Sequence, residues 1–199
     1  MKNLMFIVFA VSLLAGCGGG GSDPDYVAEG WDAFTIGNLS NAHDQFSTAY
    51  LKNPENSEAA HGFAWTLLKL DSLDRSLFFF ETANALSASD DPDILAGWSF
   101  ALNASKTYNE SNMKSDLALS ANPSWQFTYG FGLDAIDLHL VQAENYFALG
   151  NFSSSLTAVK AINTSFNADI TNATGRSLLA AEIERLRGLN KALTKKLAA

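Results

Sequence analysis

A set of residues recurring at a fixed interval constrains this chain more than any other feature. Trp31, Trp65 and Trp98 stand 34 and 33 residues apart, and Pro54 and Pro123 stand 69 apart, two such intervals. Gly37 and Asp71, each closing a helical pattern, are 34 apart. Ala42, Phe46, Ala49 and Pro54 follow one another at offsets of four, three and five, and Ser76, Phe80 and Ala83 repeat the first two. An interval of this length means stacked copies of one supersecondary unit, none of which can bury its apolar face alone. Only four Pro in 199 residues, with Leu, Ala and Ser abundant, favour helices for those units.

Each unit reads as two antiparallel helices. Small residues fall where the helices cross closely: Gly30 and Ala64 in the first helices, Ala42 and Ser76 in the second. Tyr26, Phe46 and Phe80 fill the gap beside them. Gly37 ends a first helix with a residue that tolerates positive φ. Pro54 follows a second helix, where it stops the helix without breaking it. With these marks the chain resembles the tetratricopeptide repeat from about Asp23 to Asn167. The first unit, 23–56, carries every mark, and the second, 57–89, lacks a closing Pro in register. The third, 90–124, is degenerate: it keeps Gly97-Trp98, Ala118 and Pro123 but places Asn109, Ser111 and Lys114 in its second helix. The last, 133–167, repeats Ile36-Gly37-Asn38-Leu39 as Leu149-Gly150-Asn151-Phe152. The resemblance implies an all-α, TPR-like α-solenoid of about four helical hairpins.

Two segments depart from the repeat. Between the third and last units, Trp125, Phe127, Tyr129 and Phe131 alternate at every second residue, the signature of extended backbone. An extended aromatic insertion is therefore expected over 124–132. At the end, Leu179, Ile183, Leu186, Leu193 and Leu197 fall near one face of a final amphipathic helix. That helix is basic: Arg176, Arg185, Arg187, Lys191, Lys195 and Lys196 oppose Glu182 and Glu184, a net +4, whereas residues 18–175 carry −13.

The first seventeen residues read as an address. A short positive start precedes an apolar run, Leu4 to Leu14, too short for a permanent membrane span. It ends in Leu14-Ala15-Gly16-Cys17, which resembles the lipobox of bacterial lipoproteins. The resemblance implies a signal peptide over 1–16 and acylation of Cys17, with palmitate among the acyl chains. Cys17 is the single Cys of the chain, so neither an intrachain disulfide nor a cysteine-built zinc site is available. Residues 17–22, glycine-rich, form the tether. Gly18 stands where an Asp would retain a lipoprotein at the inner membrane, so the resemblance implies the outer membrane, with the body facing the periplasm. The expected organisation is thus signal peptide 1–16, lipidated Cys and tether 17–22, repeat domain 23–169 and C-terminal basic helix 170–199.

Composition narrows function by exclusion. The net charge of −8 argues against nucleic acid, whose affinity rests on neutralising phosphates. Three scattered His residues, at 43, 61 and 139, do not suggest a metal site. No nucleophile elbow, phosphate loop or His-Glu-x-x-His motif is present, so no catalytic residues, metal or cofactor are assigned. Asp90-Asp91-Pro92-Asp93 lacks the ligand spacing of a calcium loop and reads as a helix start.

The candidate site is a groove. In the resembled family, the residue after the small crossing residue of each first helix faces the concave side. Those residues are Trp31, Trp65 and Trp98, and Val27, Phe34, His61 and Leu68 share the face. Aromatic residues so placed can grip an extended peptide or a helix. Left open, they would form a large apolar patch, so cover by the chain itself is expected, from the aromatic insertion or the last helix. The functional reading is a non-catalytic scaffold anchored in the envelope, with protein partners and a lipid attachment to membrane. The alternative is a small-molecule or glycan binder stacking its ligand on the Trp-lined groove.

Overall fold

The computed structural model describes the backbone of residues 25–197 and the side chains of residues 25–189, so the lipobox and Cys17 lie outside the described residues. Nine helices are present among them: α1 (Tyr26–Thr35), α2 (Leu39–Lys52), α3 (Ser57–Lys69), α4 (Leu73–Leu86), α5 (Pro92–Ala104), α6 (Tyr108–Ala121), α7 (Ala135–Ala148), α8 (Phe152–Ile162) and α9 (Ala173–Leu197). Side-chain caps start most of them. Asp25, Asn38, Asn56, Asp91 and Asn151 each accept a backbone N–H of the first turn. Asp134 and Asp137 form a reciprocal capping box at α7. No described helix is long and apolar enough to cross a membrane.

The helices pair as hairpins, α1 with α2 through α7 with α8, and each second helix packs on the next first helix. This is the expected solenoid of four hairpins. The first helices α1, α3, α5 and α7 also touch in succession and line one face. Close crossing is visible at the residues the repeat marks. A Cβ on Gly30 would lie 2.7 Å from the Phe46 ring, and Ser76 Oγ donates to the Ala64 carbonyl at 2.9 Å. Ser155 Oγ makes the same bond to the Ala143 carbonyl at 2.8 Å, again across twelve residues.

In the third hairpin that twelve-residue pair is Ser99 and Ser111. Ser111 Oγ donates to Ser99 O at 2.9 Å, and Ser99 Oγ to Ser111 O at 3.0 Å. Ser99, not Gly97, is therefore the crossing residue. A second observation agrees. Gly37, Asp71, Lys106 and Gly150 have φ of 77°, 57°, 63° and 74°, and each lies seven residues after Gly30, Ala64, Ser99 and Ala143 respectively. Gly97 is instead the counterpart of Gly62. A Cβ at Gly62 would overlap the Phe46 ring of the preceding hairpin, and one at Gly97 would overlap the Phe80 ring. Several of the buried polar residues of this unit bond to one another. Ser99 and Ser115 hydroxyls lie 2.6 Å apart, and Asn145 Nδ2 donates to Ser111 Oγ and Asn112 Oδ1, both at 2.9 Å. Buried polar groups are tolerated when bonded in this way.

The last helix meets the row of first helices only at α7 and does not touch α1, α3 or α5. It closes the far end, where Leu179, Ile183 and Leu186 pack with Leu140, Ala143, Ala158 and Val159. Arg187 bridges it to α7 through Glu144 at 2.7 Å. The other pairs of this helix, Arg185 with Glu182 and Arg187 with Glu184, lie within α9. The contrast between acidic body and basic tail thus yields one inter-helix ion pair among the described residues, partly exposed and worth at most about 1 kcal/mol.

Candidate functional site

With Ser99 as crossing residue, the residue facing the concave side in the third hairpin is Phe100. The stripe is then Trp31, Trp65 and Phe100. Trp65 and Phe100 have ring centroids 6.1 Å apart, and Phe100 and Trp125 are 6.2 Å apart. Trp98 sits two residues earlier, where Lys114 Nζ lies 3.6 Å over its ring. It corresponds to Phe63, which carries Arg75 over its own ring. Four of the other expected groove residues come together: Trp31, Phe34, His61 and Trp65 are all buried, and Leu68 packs on the same cluster partly buried.

What fills the groove is the aromatic insertion. Trp125, Phe127, Tyr129 and Phe131 turn inward, while Gln126 and Thr128 between them are exposed. Tyr129 stacks flat on Trp31 at 3.5 Å and 5°, and Phe127 stacks on Trp65 at 4.2 Å and 29°. Phe131 meets Phe34 edge-on at 5.1 Å. The period of two is therefore real, but no strand forms among the described residues. A single antiparallel bridge, Gln126 to Asp134, joins the two arms of the insertion. The surface beneath is made of helices, which offer side chains and no strand ladder. Three successive positive φ values, at Gly130, Phe131 and Gly132, turn the chain back toward α7. Two are glycines, for which this conformation costs little.

Two carboxylates hold the insertion in place. Glu58 and Asp93 occupy the same position in the first turns of α3 and α5. Glu58 Oε1 accepts from Trp31 Nε1 at 2.6 Å and from the Tyr129 hydroxyl at 3.1 Å. Asp93 Oδ1 accepts from Trp125 Nε1 at 2.5 Å, and the Asp93 carbonyl accepts from Trp65 Nε1 at 3.2 Å. The two carboxyls respond in opposite directions. Burial raises Glu58, but neighbouring His61 and the bonds from Trp31 and Tyr129 outweigh it and hold it below the ordinary value. Burial dominates at Asp93 and pushes it up, despite the Trp125 bond. Sequence reasoning passed over Glu58 and Phe100 and read Asp93 only as part of a helix start. The available signal was the carboxylate two residues after the helix caps Asn56 and Asp91.

The Tyr129 phenol is pushed well above its ordinary value, first by burial and then by the Glu58 carboxylate. A raised folded-state value means the folded protein keeps a proton that the unfolded chain releases. The stability this contributes is full below about pH 10 and is lost as pH rises above it. Alkaline titration followed by tryptophan emission should show the insertion loosening above about pH 10. Tyr129→Phe should flatten that transition, and an unchanged transition would remove Tyr129 as its origin.

No protein-family model and no curated protein matches the sequence. Solved structures do match. MamA MSR-1 superposes with a TM-score of 0.61 at 15% identity, over 84% of this chain and 95% of that one. A tetratricopeptide repeat protein from Parabacteroides merdae gives 0.56 at 14% identity, over 87% and 64%. PilF of Pseudomonas aeruginosa gives 0.57 at 12% identity, over 79% and 65%. The chain has the tetratricopeptide-repeat fold. No group of three or more His, Cys, Asp and Glu among its described residues is arranged to hold a metal ion.

Proposed function

We propose that this protein is a non-catalytic, lipid-anchored tetratricopeptide-repeat scaffold of the bacterial envelope. Its concave groove is occupied by its own residues 125–131, and it recruits protein partners through its outer faces. The observation that carries this reading is the self-filled groove: Trp31 is 5% exposed and Trp65 1%. A sugar or small molecule stacking on those indoles would first have to displace Tyr129 and Phe127. Apolar side chains left outside are the alternative contacts: Ile36 and Leu51 are 80% exposed and Met113 61%. The anchor rests on Leu14-Ala15-Gly16-Cys17, and the outer-membrane, periplasm-facing address rests on Gly18.

Two measurements test the proposal. Cys17→Ser should release the protein from the membrane fraction and abolish incorporation of labelled palmitate; a labelled, pelleting variant would overturn the anchor. Pull-down of the intact protein from detergent-solubilised envelopes should recover the same partners before and after Leu51→Ser and Met113→Ser only if the outer faces are uninvolved. Loss of partners in those variants is the expected result.

A further inference from the structure

Beside the filled groove lies a cleft of about 330 Å³, open to solvent, between the insertion and the first turns of α3 and α5. It is a separate space from the Trp stripe. Its walls include Glu58, Asp91 and Asp93 with His61, Trp125 and Tyr129, and no Lys or Arg lines it. The feature that sets it apart is His61. The ring is 2% exposed and neither of its nitrogens has a hydrogen-bond partner. Glu58 Oε2 lies 3.6 Å from His61 Nδ1, beyond hydrogen-bond range. A buried polar group without a partner is costly and uncommon, and it points to something that completes it.

The chemistry of the cleft selects the occupant. Three carboxylates repel an anion. A metal ion has no group of three suitable ligands among the described residues. A protonated amine carries three N–H donors on one small cation, able to address the Glu58 carboxylate, the Asp93 carboxylate and an acceptor nitrogen of His61 together. The Trp125 and Tyr129 rings beside them suit an aliphatic stem and a nearby cation. We infer that this cleft binds the primary ammonium group of an aliphatic amine. Burial has lifted the Asp93 carboxyl, so its negative charge is poorly solvated there and gains from a cationic partner. The inference does not depend on the scaffold reading: a free amine and the lysine of a partner would present the same group.

The test is titration of the full chain with cadaverine, and separately with N-acetyl-lysine amide, by calorimetry and by the ring resonances of His61. Saturable binding that moves the His61 signals is expected. Asp93→Asn keeps an oxygen for Trp125 Nε1 but removes the charge, and should weaken binding about tenfold or more. Asp91→Asn, at the cleft rim and still a competent helix cap, should weaken it less. Tetramethylammonium, which has charge but no N–H, should bind about tenfold more weakly than cadaverine. Binding of both amines favours a lysine-bearing partner as source, and binding of cadaverine alone favours a free polyamine. No saturable binding of either, binding unchanged in a folded Asp93→Asn, or binding of calcium in their place would overturn the inference.

Discussion

Phe127→Ala should cost about 3–5 kcal/mol and uncover the concave face. Phe127 is 7% exposed and sits at the centre of the inserted aromatics. It stacks on Trp65, and lies within 6.4 Å of Trp31, 6.2 Å of Phe34 and 5.9 Å of Tyr129. No neighbouring side chain can collapse into the space, because Trp65 and Phe34 are held by α3 and α1 and by the Gly-lined crossings beneath them. Urea unfolding should report the loss. Tryptophan emission should shift red, and iodide should begin to quench Trp31 and Trp65, which it should barely reach in the intact protein. A variant with unchanged stability and unchanged quenching would mean that the insertion does not cover the stripe.

Removing residues 177–199 should be as damaging but should look different. The truncation takes Leu179, Ile183 and Leu186 from the face of α7 and α8 and exposes Leu140, Ala158 and Val159. Each buried aliphatic side chain contributes about 1.5–3 kcal/mol, offset by the entropy of ordering the helix. The truncated protein should melt earlier or aggregate, yet its tryptophan emission should hold until unfolding, because no Trp belongs to that cluster. A red shift in the folded truncated form would instead make α9 part of the groove's cover. Salt should matter little to either protein, since Arg187–Glu144 is the one described ion pair joining α9 to the body.

The two expected outcomes separate the candidate covers that the sequence left open. Both the insertion and the last helix carry an apolar face of suitable length, and nothing local distinguishes them. The insertion covers the stripe because its inward side chains match the stripe's spacing. Tyr129, Phe127 and Trp125 meet Trp31, Trp65 and Phe100 in order, running along the row of first helices. The last helix follows α8 directly and packs at the α7–α8 end, so it meets that row only at its last member and not at the helices that carry the stripe.

Local patterning was sufficient for much of the architecture. The small crossing residues Gly30, Ala64, Ala42 and Ser76 and the closing positions Gly37 and Asp71 all act within one hairpin, over a span of seven or twelve residues, so periodicity alone revealed them. The inward alternation of Trp125, Phe127, Tyr129 and Phe131 was legible for the same reason. The register of the third hairpin was not. Gly97-Trp98 looks like Gly30-Trp31, but its glycine is small to admit Phe80 of the preceding hairpin, and that requirement exists only once two hairpins are stacked. The true crossing residue is a serine, whose small size and hydroxyl are recognisable only beside Ser111 and Ser115. Glu58 is likewise unremarkable in sequence, Asp93 reads there only as part of a helix start, and His61 only as one residue of the groove. They acquire their roles when a segment about seventy residues from Glu58 folds back over them, so that the two carboxylates accept from the indoles and from the Tyr129 hydroxyl while the imidazole is buried beside them. Contacts within a hairpin are written in spacing, whereas contacts between hairpins depend on which faces the stack brings together.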